Sequence, residues 1–504
     1  MTAVVGPRIY RGLNRRERAG WILGLTAAQA SACLVLAAPV LLAISGGHWR
    51  LSLAWAGIDG AIAALIVVPV RGRPAMRWLG HLILHQFGVA TGWSVWQSRA
   101  AAGMPGPAHE PDLPGALARV EFVDGPMFRT HARVCLIHDT GEGRWGATAK
   151  LTHTGVGMLS DEQCARLAQR LGTLLLSIGH RDVIDRLSLM VRTVPDDGTE
   201  HEVWRAAHQS WHAPALAVRA CAELDRAVGA VAVRHELFLT VSGTEAALRR
   251  PAQAAGGGSQ GRAHALYRVL DGIEDAVKAL NVRTVCWLSS PAVAQAIRTG
   301  FNPAAAAALS RATLTRPDGQ DWPMSLAGPT QAPAPPARSY VHDGFTTVTY
   351  SVLMPEAGTV FGSLAPLLAV KTAGERRCLA IHYEVLGAGR SSRAVRANRF
   401  RSSVMTDYKA GKGFSTSAAD QRSASGARAQ EHAVAAGHAM VRYAAVAAVT
   451  VPSHWNLEDH AARIENDAAG RFRLLRLELA QDSAFVASCL PLGIGLPRLR
   501  GSLW

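Results

Sequence analysis

The sequence predicts an α+β protein in which two N-terminal transmembrane helices precede mixed α+β (ferredoxin-like) cytoplasmic domains. Two long apolar stretches with almost no charge lie before residue 71. Beyond residue 115, alternating apolar and polar runs are interspersed with amphipathic segments, and the order strand pair, helix, strand occurs on both sides of a proline-rich stretch. At 504 residues the chain also exceeds what one hydrophobic core usually organises, so several units are expected.

The first apolar stretch covers residues 21–44 and contains no charge over 24 positions. A helix needs about 20 such residues to cross the hydrocarbon core of a bilayer. After a turn, a second stretch at residues 51–70 carries one charge, Asp59. Residues 21–73 are therefore predicted to form a two-span transmembrane hairpin. A cleaved signal peptide fits less well, because the first stretch is long for one and a second span follows at once.

Arginines at its flanks predict the orientation of this hairpin. Lys and Arg concentrate on the cytoplasmic side of membrane proteins. Only Arg50 lies between the two spans. Outside them lie Arg8, Arg11, Arg15, Arg16 and Arg18 in the basic N-terminus of residues 1–20, and Arg71, Arg73 and Arg77 after the second span. The chain is thus predicted to be a multi-pass protein of the inner (plasma) membrane with both termini in the cytoplasm.

Asp59 lies near the middle of the second span. A carboxylate there costs about 2.5 to 3.5 kcal/mol on insertion scales, so it is expected to face another helix or a wet cavity, or to be protonated. One interpretation is a contact inside a multi-subunit membrane complex. The other is burial within the chain against Gln29 or Thr26.

Residues 74–100 are predicted to form an amphipathic helix at the membrane interface. Apolar residues recur at helical spacing among basic ones, and the segment contains Trp78, Trp93 and Trp96. Tryptophans with basic flanks are typical of the interface. The competing interpretation is an ordinary amphipathic helix packed on the soluble part.

Residues 115–314 are predicted to form a first α+β region. Alternating runs at residues 120–123, 132–138 and 145–152 predict antiparallel strands. Ser160 and Gln163 frame a capping box ahead of an apolar helical stripe. Further predicted elements are strands at 187–193, 235–241 and 282–288, and helices near 214–228, at 263–280 and from Pro291 onward.

Residues 315–340 are rich in Pro, Gly and Gln and are predicted to be a linker or a large surface loop. A second α+β region is predicted at residues 341–496. Its predicted strands are 344–354, 377–385, 441–451 and 473–479, and its predicted helices are 392–408, 418–437 and 457–467.

The net charge of +15 and the pI of about 10.1 come almost entirely from arginine, since only five of the 53 basic residues are lysines. Arginine excess partly reflects a GC-rich genome, so nucleic-acid binding is possible but not expected. The candidate contact surface is a run of arginines spaced three apart on one helix face. It consists of Arg390, Arg393, Arg396 and Arg399, followed by Lys409 and Lys412. The alternatives are a solvated face, an acidic partner, or nucleic acid or lipid.

Motifs for chemistry are missing from the sequence. The closest approach to a phosphate-binding loop, at residues 411–414, lacks the Ser or Thr that would hold magnesium, and the glycine-rich run at residues 256–261 does not follow a predicted strand. The seven cysteines never form C-x-x-C, and H-E-x-x-H is absent. We therefore predict no catalytic residue, no cofactor and no metal, and a protein that is not an enzyme.

Three short motifs carry a resemblance to a known family: YRG at residues 10–12, GFSTS at 413–417 and EHAVAAGH at 431–438. With them the chain resembles actinobacterial membrane proteins of integrative conjugative elements, in which a PrgI- or TcpE-like membrane hairpin precedes a domain similar to the N-terminal part of conjugation ATPases. The resemblance spans nearly the whole chain.

This resemblance implies a non-catalytic structural membrane subunit of a conjugative DNA-transfer or secretion apparatus, in an oligomeric complex that docks a separate ATPase. The type VII secretion component EccE has a similar layout and is the close alternative. A membrane-tethered nucleic-acid-binding protein is a further alternative, and a membrane enzyme would require a deep pocket with converging polar groups.

Overall fold

The computed structural model describes residues 27–70, 73–129, 132–181, 183–195, 198–229, 233–315, 322–355, 358–387, 389–393 and 418–495. The chain divides into two compact units. Within the described residues, the smaller one, the helical unit, comprises 27–92, 392–393 and 418–436. The larger one, the sheet unit, comprises 93–391 and 437–495.

The helical unit contains an antiparallel pair of apolar helices joined by a tight turn. Its helices are α1 (Ala27–Ser45), α2 (Trp49–Val67), α3 (Ala75–Thr91) and α11 (Ala418–Ala435), and a short antiparallel pair, β1 (Pro69–Val70) with β2 (Arg73–Pro74), separates α2 from α3. The amide of Gln29 donates a hydrogen bond to the carbonyl of Ile66, 2.8 Å away, and so ties α1 to the end of α2. Residues 21–26 of the predicted first span lie outside the described residues.

The sheet unit is built on one large antiparallel sheet, and this confirms the predicted α+β class. The strands of this unit are β3 (Trp96–Gln97), β4 (Val120–Phe128), β5 (Ala132–Asp139), β6 (Arg144–His153), β7 (Arg186–Pro195), β8 (Val233–Thr244), β9 (Val282–Trp287), β10 (Gln331–Ala332), β11 (Tyr340–His342), β12 (Phe345–Leu353), β13 (Arg376–Leu386), β14 (Met440–Pro452) and β15 (Arg473–Arg476). The large sheet has the order β11-β12-β14-β13-β7-β8-β6-β5-β4, with β15 beside β12 and β9 beside β6, whereas β3 and β10 form a separate pair.

The sheet contains the same strand arrangement twice. In the first half the spatial order is β9-β6-β8-β7, and in the second half it is β15-β12-β14-β13. Numbered along the chain within each half, both orders are 4-1-3-2, and all neighbouring strands are antiparallel. The two halves join through their corresponding strands β7 and β13, which pair from Arg186↔Glu384 to Thr193↔Arg377. One continuous sheet therefore holds two similarly ordered halves.

The helices of the sheet unit are α4 (Asp161–Gly179), α5 (Thr199–His208), α6 (Ala215–Gly229), α7 (Glu245–Ala254), α8 (Gly258–Lys278), α9 (Ser290–Phe301), α10 (Ala305–Thr315), α12 (Leu457–Ala468) and α13 (Gln481–Cys489). Some of them cover the two faces of the large sheet. One face buries Ile178 of α4, Leu270 of α8 and Ile464 of α12 against the strands. The opposite face packs against α9 and α13 through Phe301 and Phe485.

Two fully buried arginines fix α9 on its face of the sheet. Arg192 Nη1 donates to the carbonyl of Ala296 at 2.8 Å, and Arg376 donates to the carbonyls of Thr299 and Gly300 at 2.8 and 2.7 Å. The carbonyls of Thr299 and Gly300 lie in the last turn of α9, where no helical donor follows them, whereas Ala296 lies about one turn earlier. The Arg376 guanidinium therefore satisfies the helix end, and both guanidinium groups supply the positive charge that the helix dipole favours there.

The predicted strands and most of the predicted helices of the sheet unit are confirmed. The capping box is also present, since Ser160 Oγ accepts from the backbone of Gln163 and the Gln163 side chain accepts from the backbone of Ser160. Most of the predicted helix at residues 392–408 lies outside the described residues.

The predicted linker at residues 315–340 is wrong for residues 322–340. Met324, Ala327 and Ala332 are buried in the core, and β10 pairs with β3. The apolar residues between the prolines cover the sheet face, and this burial stabilises the segment despite its composition. The regions on either side of it also share one sheet and one compact unit, rather than lying apart as predicted.

The predicted interfacial helix at residues 74–100 is shorter than expected. Helix α3 ends at Thr91, and residues from Trp93 onward belong to the sheet unit. Gly92, with a φ of 74°, follows the helix in the left-handed conformation that commonly ends helices.

Candidate functional site

Large apolar side chains cover the surface of α1 and α2. Leu34, Leu42, Trp49 and Leu53 are 77, 72, 64 and 65% exposed. Within the described residues, one helix, Trp49–Val67, is long and apolar enough to cross a membrane by length and composition, with a mean hydropathy of 1.5. The apolar helix Ser31–Ser45 is shorter. An apolar surface of this size is characteristic of an interaction with a membrane or a partner protein.

Asp59 is an exception on this apolar helix. It is only 8% exposed, and its Oδ2 has no hydrogen-bond partner in the described part of the chain. Ser52, two turns earlier on the same face, is also buried, but its hydroxyl bonds to the carbonyls of its own helix. Gln29, one expected partner of Asp59, donates to Ile66 instead, and Thr26 lies outside the described residues.

Helix α3 carries Trp78, which is half-buried with no hydrogen-bond partner for its indole N–H in the described chain. Ile83, Leu84 and Phe87 on the same helix are 57 to 59% exposed. This combination agrees with the amphipathic character predicted from the sequence. The exposed apolar side chains of α3 belong to the same unit as those of α1 and α2.

The other two predicted tryptophans lie in the sheet unit. Trp96 is half-buried against the core under α9 and α13, and its Nε1 donates to the carbonyl of Pro329 at 3.2 Å. This position differs from the predicted interfacial one, because β3 pairs with β10 and turns the indole inward. Trp93 is 66% exposed and lines a groove with a cavity volume of about 300 Å³.

The predicted arginine surface is only partly described. Arg390 lies between two carboxylates, 3.7 Å from Asp185 and 4.0 Å from Glu384. Arg393 is exposed, whereas Arg396 and Arg399 lie outside the described residues. The charge of Arg390 is therefore partly balanced within the chain.

Arg390 belongs to a group of ion pairs at one end of the central strands. Arg186 pairs with Glu142 at 2.6 Å, and Arg144 pairs with Asp185. Burial lowers the pKa of the Arg144 guanidinium, although the Asp185 carboxylate opposes that effect. These contacts join β6, β7 and the loop before β6, so they stabilise the sheet end.

Two buried histidines of the large sheet, His382 on β13 and His342 on β11, are held neutral. Burial lowers the pKa of His382 to about 4, against the raising effect of its hydrogen bond to the Ala487 carbonyl. Burial likewise lowers the pKa of His342 to about 3, and the nearby Arg376 lowers it further. Both rings bond to neighbouring side chains, Ser188 for His382 and Thr347 for His342. Across the described ranges, no group of three or more His, Cys, Asp or Glu side chains is arranged to hold a metal ion.

The 300 Å³ groove is a feature that the sequence analysis missed. Tyr340, Asp482 and Phe485 contribute to it, and they come from β11 and from α13. The apolar run that follows Asp482 is the signal that predicts a buried helix there, but which surface it packs against depends on the tertiary fold.

No protein-family model matches the chain, and no curated protein matches it.

Proposed function

We propose that the chain is a non-catalytic structural membrane subunit of a conjugative DNA-transfer or secretion apparatus that docks a separate ATPase. The observation that carries this proposal is the apolar surface of α1 and α2. In the proposal both helices span the plasma membrane, residues 75–91 lie at its interface, and both termini are cytoplasmic.

Exposing these side chains to water is costly. Full burial of a Leu side chain is worth roughly 1.5 to 3 kcal/mol relative to exposure, and Leu34, Leu42 and Leu53 alone are each at least 65% exposed. A bilayer removes this cost along the whole length of both helices. The sequence is also uncharged over residues 21–26, which directly precede Ala27.

Asp59 supports a role in assembly. A buried carboxylate oxygen with no hydrogen bond is unfavourable in an apolar environment, and ionisable residues in membrane helices commonly mark functional contacts. In the complex, Asp59 would bond to a polar or basic side chain of another membrane subunit.

The two halves of the sheet unit support a ferredoxin-like arrangement. Each half has the strand order 4-1-3-2, with α4 and α8 packed on the first half and α12 on the second. Such a domain fits the resemblance to the N-terminal part of conjugation ATPases. An EccE-like role in type VII secretion has the same layout. An adjacent P-loop ATPase gene with a relaxase favours conjugation, whereas neighbouring genes for small helical secreted proteins favour type VII secretion.

Membrane extraction of the full-length protein tests the proposal. We expect the chain to remain in the membrane pellet after alkaline carbonate treatment. The variant Leu34→Arg/Ile58→Arg should shift to the soluble or aggregated fraction, because each arginine at mid-span costs about 2.5 to 3.5 kcal/mol. The matched control is Met158→Arg, at a 99% exposed site of the sheet unit, which should stay in the pellet. Carbonate release of the wild type would contradict the proposal.

A further inference from the structure

The groove beside α13 combines aromatic walls with one carboxylate. Its lining residues include the aromatic residues Trp93, Trp96, Tyr340 and Phe485, and Asp482 is the one charged residue among them. Phe485 and Tyr340 are 0 and 4% exposed and form the buried floor, whereas Trp96 is half-buried and Trp93 is 66% exposed. The groove lies entirely within the sheet unit.

One buried polar atom in this groove, the hydroxyl oxygen of Ser94, has no hydrogen-bond partner in the described chain. Tyr340 and Asp482 line the same groove. Burial raises the pKa of Tyr340, and the carboxylates of Asp482 and Asp343 raise it further, so its hydroxyl remains a neutral donor. Buried polar groups are usually satisfied, so an unsatisfied hydroxyl beside a phenol and a carboxylate in one groove indicates a ligand that supplies hydrogen-bond partners.

Asp482 stabilises the start of α13, but this role does not explain why it lies in an aromatic groove. It lies in the first turn of α13, where a carboxylate stabilises the helix N-terminus. Asp459 in the first turn of α12 has the same role but is exposed on the surface. Only Asp482 faces an aromatic cavity, where the low dielectric strengthens its attraction for a cation.

The aromatic rings and the carboxylate that line the groove indicate which kind of ligand it binds. Aromatic faces attract cations through their negative π-systems, and the attraction increases when the cation is desolvated. A guanidinium group stacks on such rings and forms a two-pronged bond to a carboxylate. The volume of about 300 Å³ is at the lower limit for small-molecule pockets, which suits one side chain with its apolar neighbours.

We propose that this groove binds an arginine flanked by apolar residues on a partner protein, with the guanidinium between the aromatic rings and Asp482. The inference goes beyond the proposed function, because it requires only the sheet unit's own side chains. It holds whether or not the hairpin spans a membrane.

Peptide binding to the full-length detergent-solubilised protein tests this proposal. The probe is a fluorescein-labelled peptide of sequence GALRLAG, and its matched counterpart carries citrulline, a neutral isostere, in place of arginine. By fluorescence anisotropy we expect the arginine peptide to bind at least about tenfold more tightly than the citrulline peptide. Asp482→Asn should abolish that preference, and Trp93→Ala should weaken binding of the arginine peptide.

Two controls separate binding from folding. Asp459→Asn removes an equivalent carboxylate from a helix N-terminus and should leave peptide binding unchanged. Asp482→Glu should restore most of the preference for arginine, and the circular dichroism of every variant should match the wild type.

Several outcomes would overturn the proposal. Equal binding of both peptides, or a preference for arginine that survives Asp482→Asn, would remove the cation site. Displacement of the peptide by dihexanoyl phosphatidylethanolamine, but not by unlabelled GALRLAG, would assign the groove to lipid. Dimerisation in native mass spectrometry that the peptide suppresses would assign it to a second copy of the chain. None of these results depends on carbonate extraction, so this proposal and the proposed function fail independently.

Discussion

At the scale of single residues, the sheet unit contains buried charges that pair with one another. Arg377 and Glu375 are both 0% exposed and bond to each other at 2.5 Å, and Glu375 also bonds to His460 at 2.6 Å. Arg377 reaches Asp467 at 2.6 Å, and Lys371 reaches the same carboxylate from the surface. Burial raises the pKa of Asp467, but the hydrogen bonds from Lys371 and Arg377 outweigh it and the pKa is lowered.

Arg377 and Lys371 both pair with Asp467, but only Arg377 is buried. Substituting them should therefore reduce the free energy of unfolding by different amounts. Arg377→Met should reduce the free energy of unfolding by about 3 to 5 kcal/mol, because it leaves Glu375 buried without its cation. Lys371→Met should cost no more than about 1 kcal/mol, because an exposed pair contributes little. Urea denaturation of the detergent-solubilised protein measures both. Equal losses for the two variants would show that the buried pair has no special role.

The buried histidines predict a dependence of stability on pH. The folded pKa values of His382, about 4, and His342, about 3, lie below the unfolded value of about 6.5. The unfolded chain therefore binds more protons once the pH falls below about 6.5, and stability decreases towards pH 4 by up to about 1.4 kcal/mol per pH unit for each histidine. Above about pH 6.5 this contribution is complete.

Unfolding curves at pH 7.5, 5.5 and 4.5 test this dependence. The slope should be smaller in His382→Asn, which removes one titrating ring, and unchanged in His454→Asn at an exposed position. The same pH slope in the wild type and in His382→Asn would contradict the assignment.

At the scale of elements, the sequence predicted the strands and helices whose apolar residues recur at regular spacing. Strand β12 alternates polar and apolar residues from Thr347 to Val352, and α4 begins with a capping box, so local patterns were sufficient to predict both. Strands β3 and β10 have two residues each, and their pairing depends on burial of the neighbouring Trp96 and Ala332. No local pattern encodes that contact. The prolines before β11 led to the wrong prediction of a linker at residues 322–340, because composition alone does not reveal which apolar residues between them reach the core.

Asp59 gives a prediction for helix α2. Asp59→Leu should leave the hairpin in the membrane, because it removes a charge whose insertion costs about 2.5 to 3.5 kcal/mol. Assembly should fail, because the partner's polar group loses its bond. We expect at least about a tenfold loss of the ATPase that copurifies with the full-length protein, a change of roughly 1.4 kcal/mol in binding.

Ser52→Ala is the matched control for this experiment. Ser52 is buried on the same face, but its hydroxyl bonds only within α2, so copurification should not change. Undiminished copurification of the ATPase with Asp59→Leu would show that the carboxylate is buried for reasons internal to the chain.

At the scale of the whole molecule, two repeated half-sheets form one continuous sheet within the sheet unit. The repeated strand-helix pattern of the sequence predicted two halves, and the structure places their corresponding strands β7 and β13 side by side. Because β7 and β13 pair with each other, neither strand has an exposed edge at which aggregation could begin. The sequence could not predict the junction, because pairing between distant strands is set by packing under α9 and α13.

Topology of the hairpin is the most direct test of the central claim, that the chain is anchored by two membrane spans with its bulk in the cytoplasm. His48→Cys places a thiol in the turn between α1 and α2, and the exposed Cys221 of the sheet unit is an internal reference. Intact cells are treated with a membrane-impermeant maleimide, and labelled peptides are identified by mass spectrometry. We predict labelling at position 48 in intact cells and at Cys221 only after permeabilisation. Labelling of Cys221 in intact cells, or protection of position 48 until permeabilisation, would contradict the account.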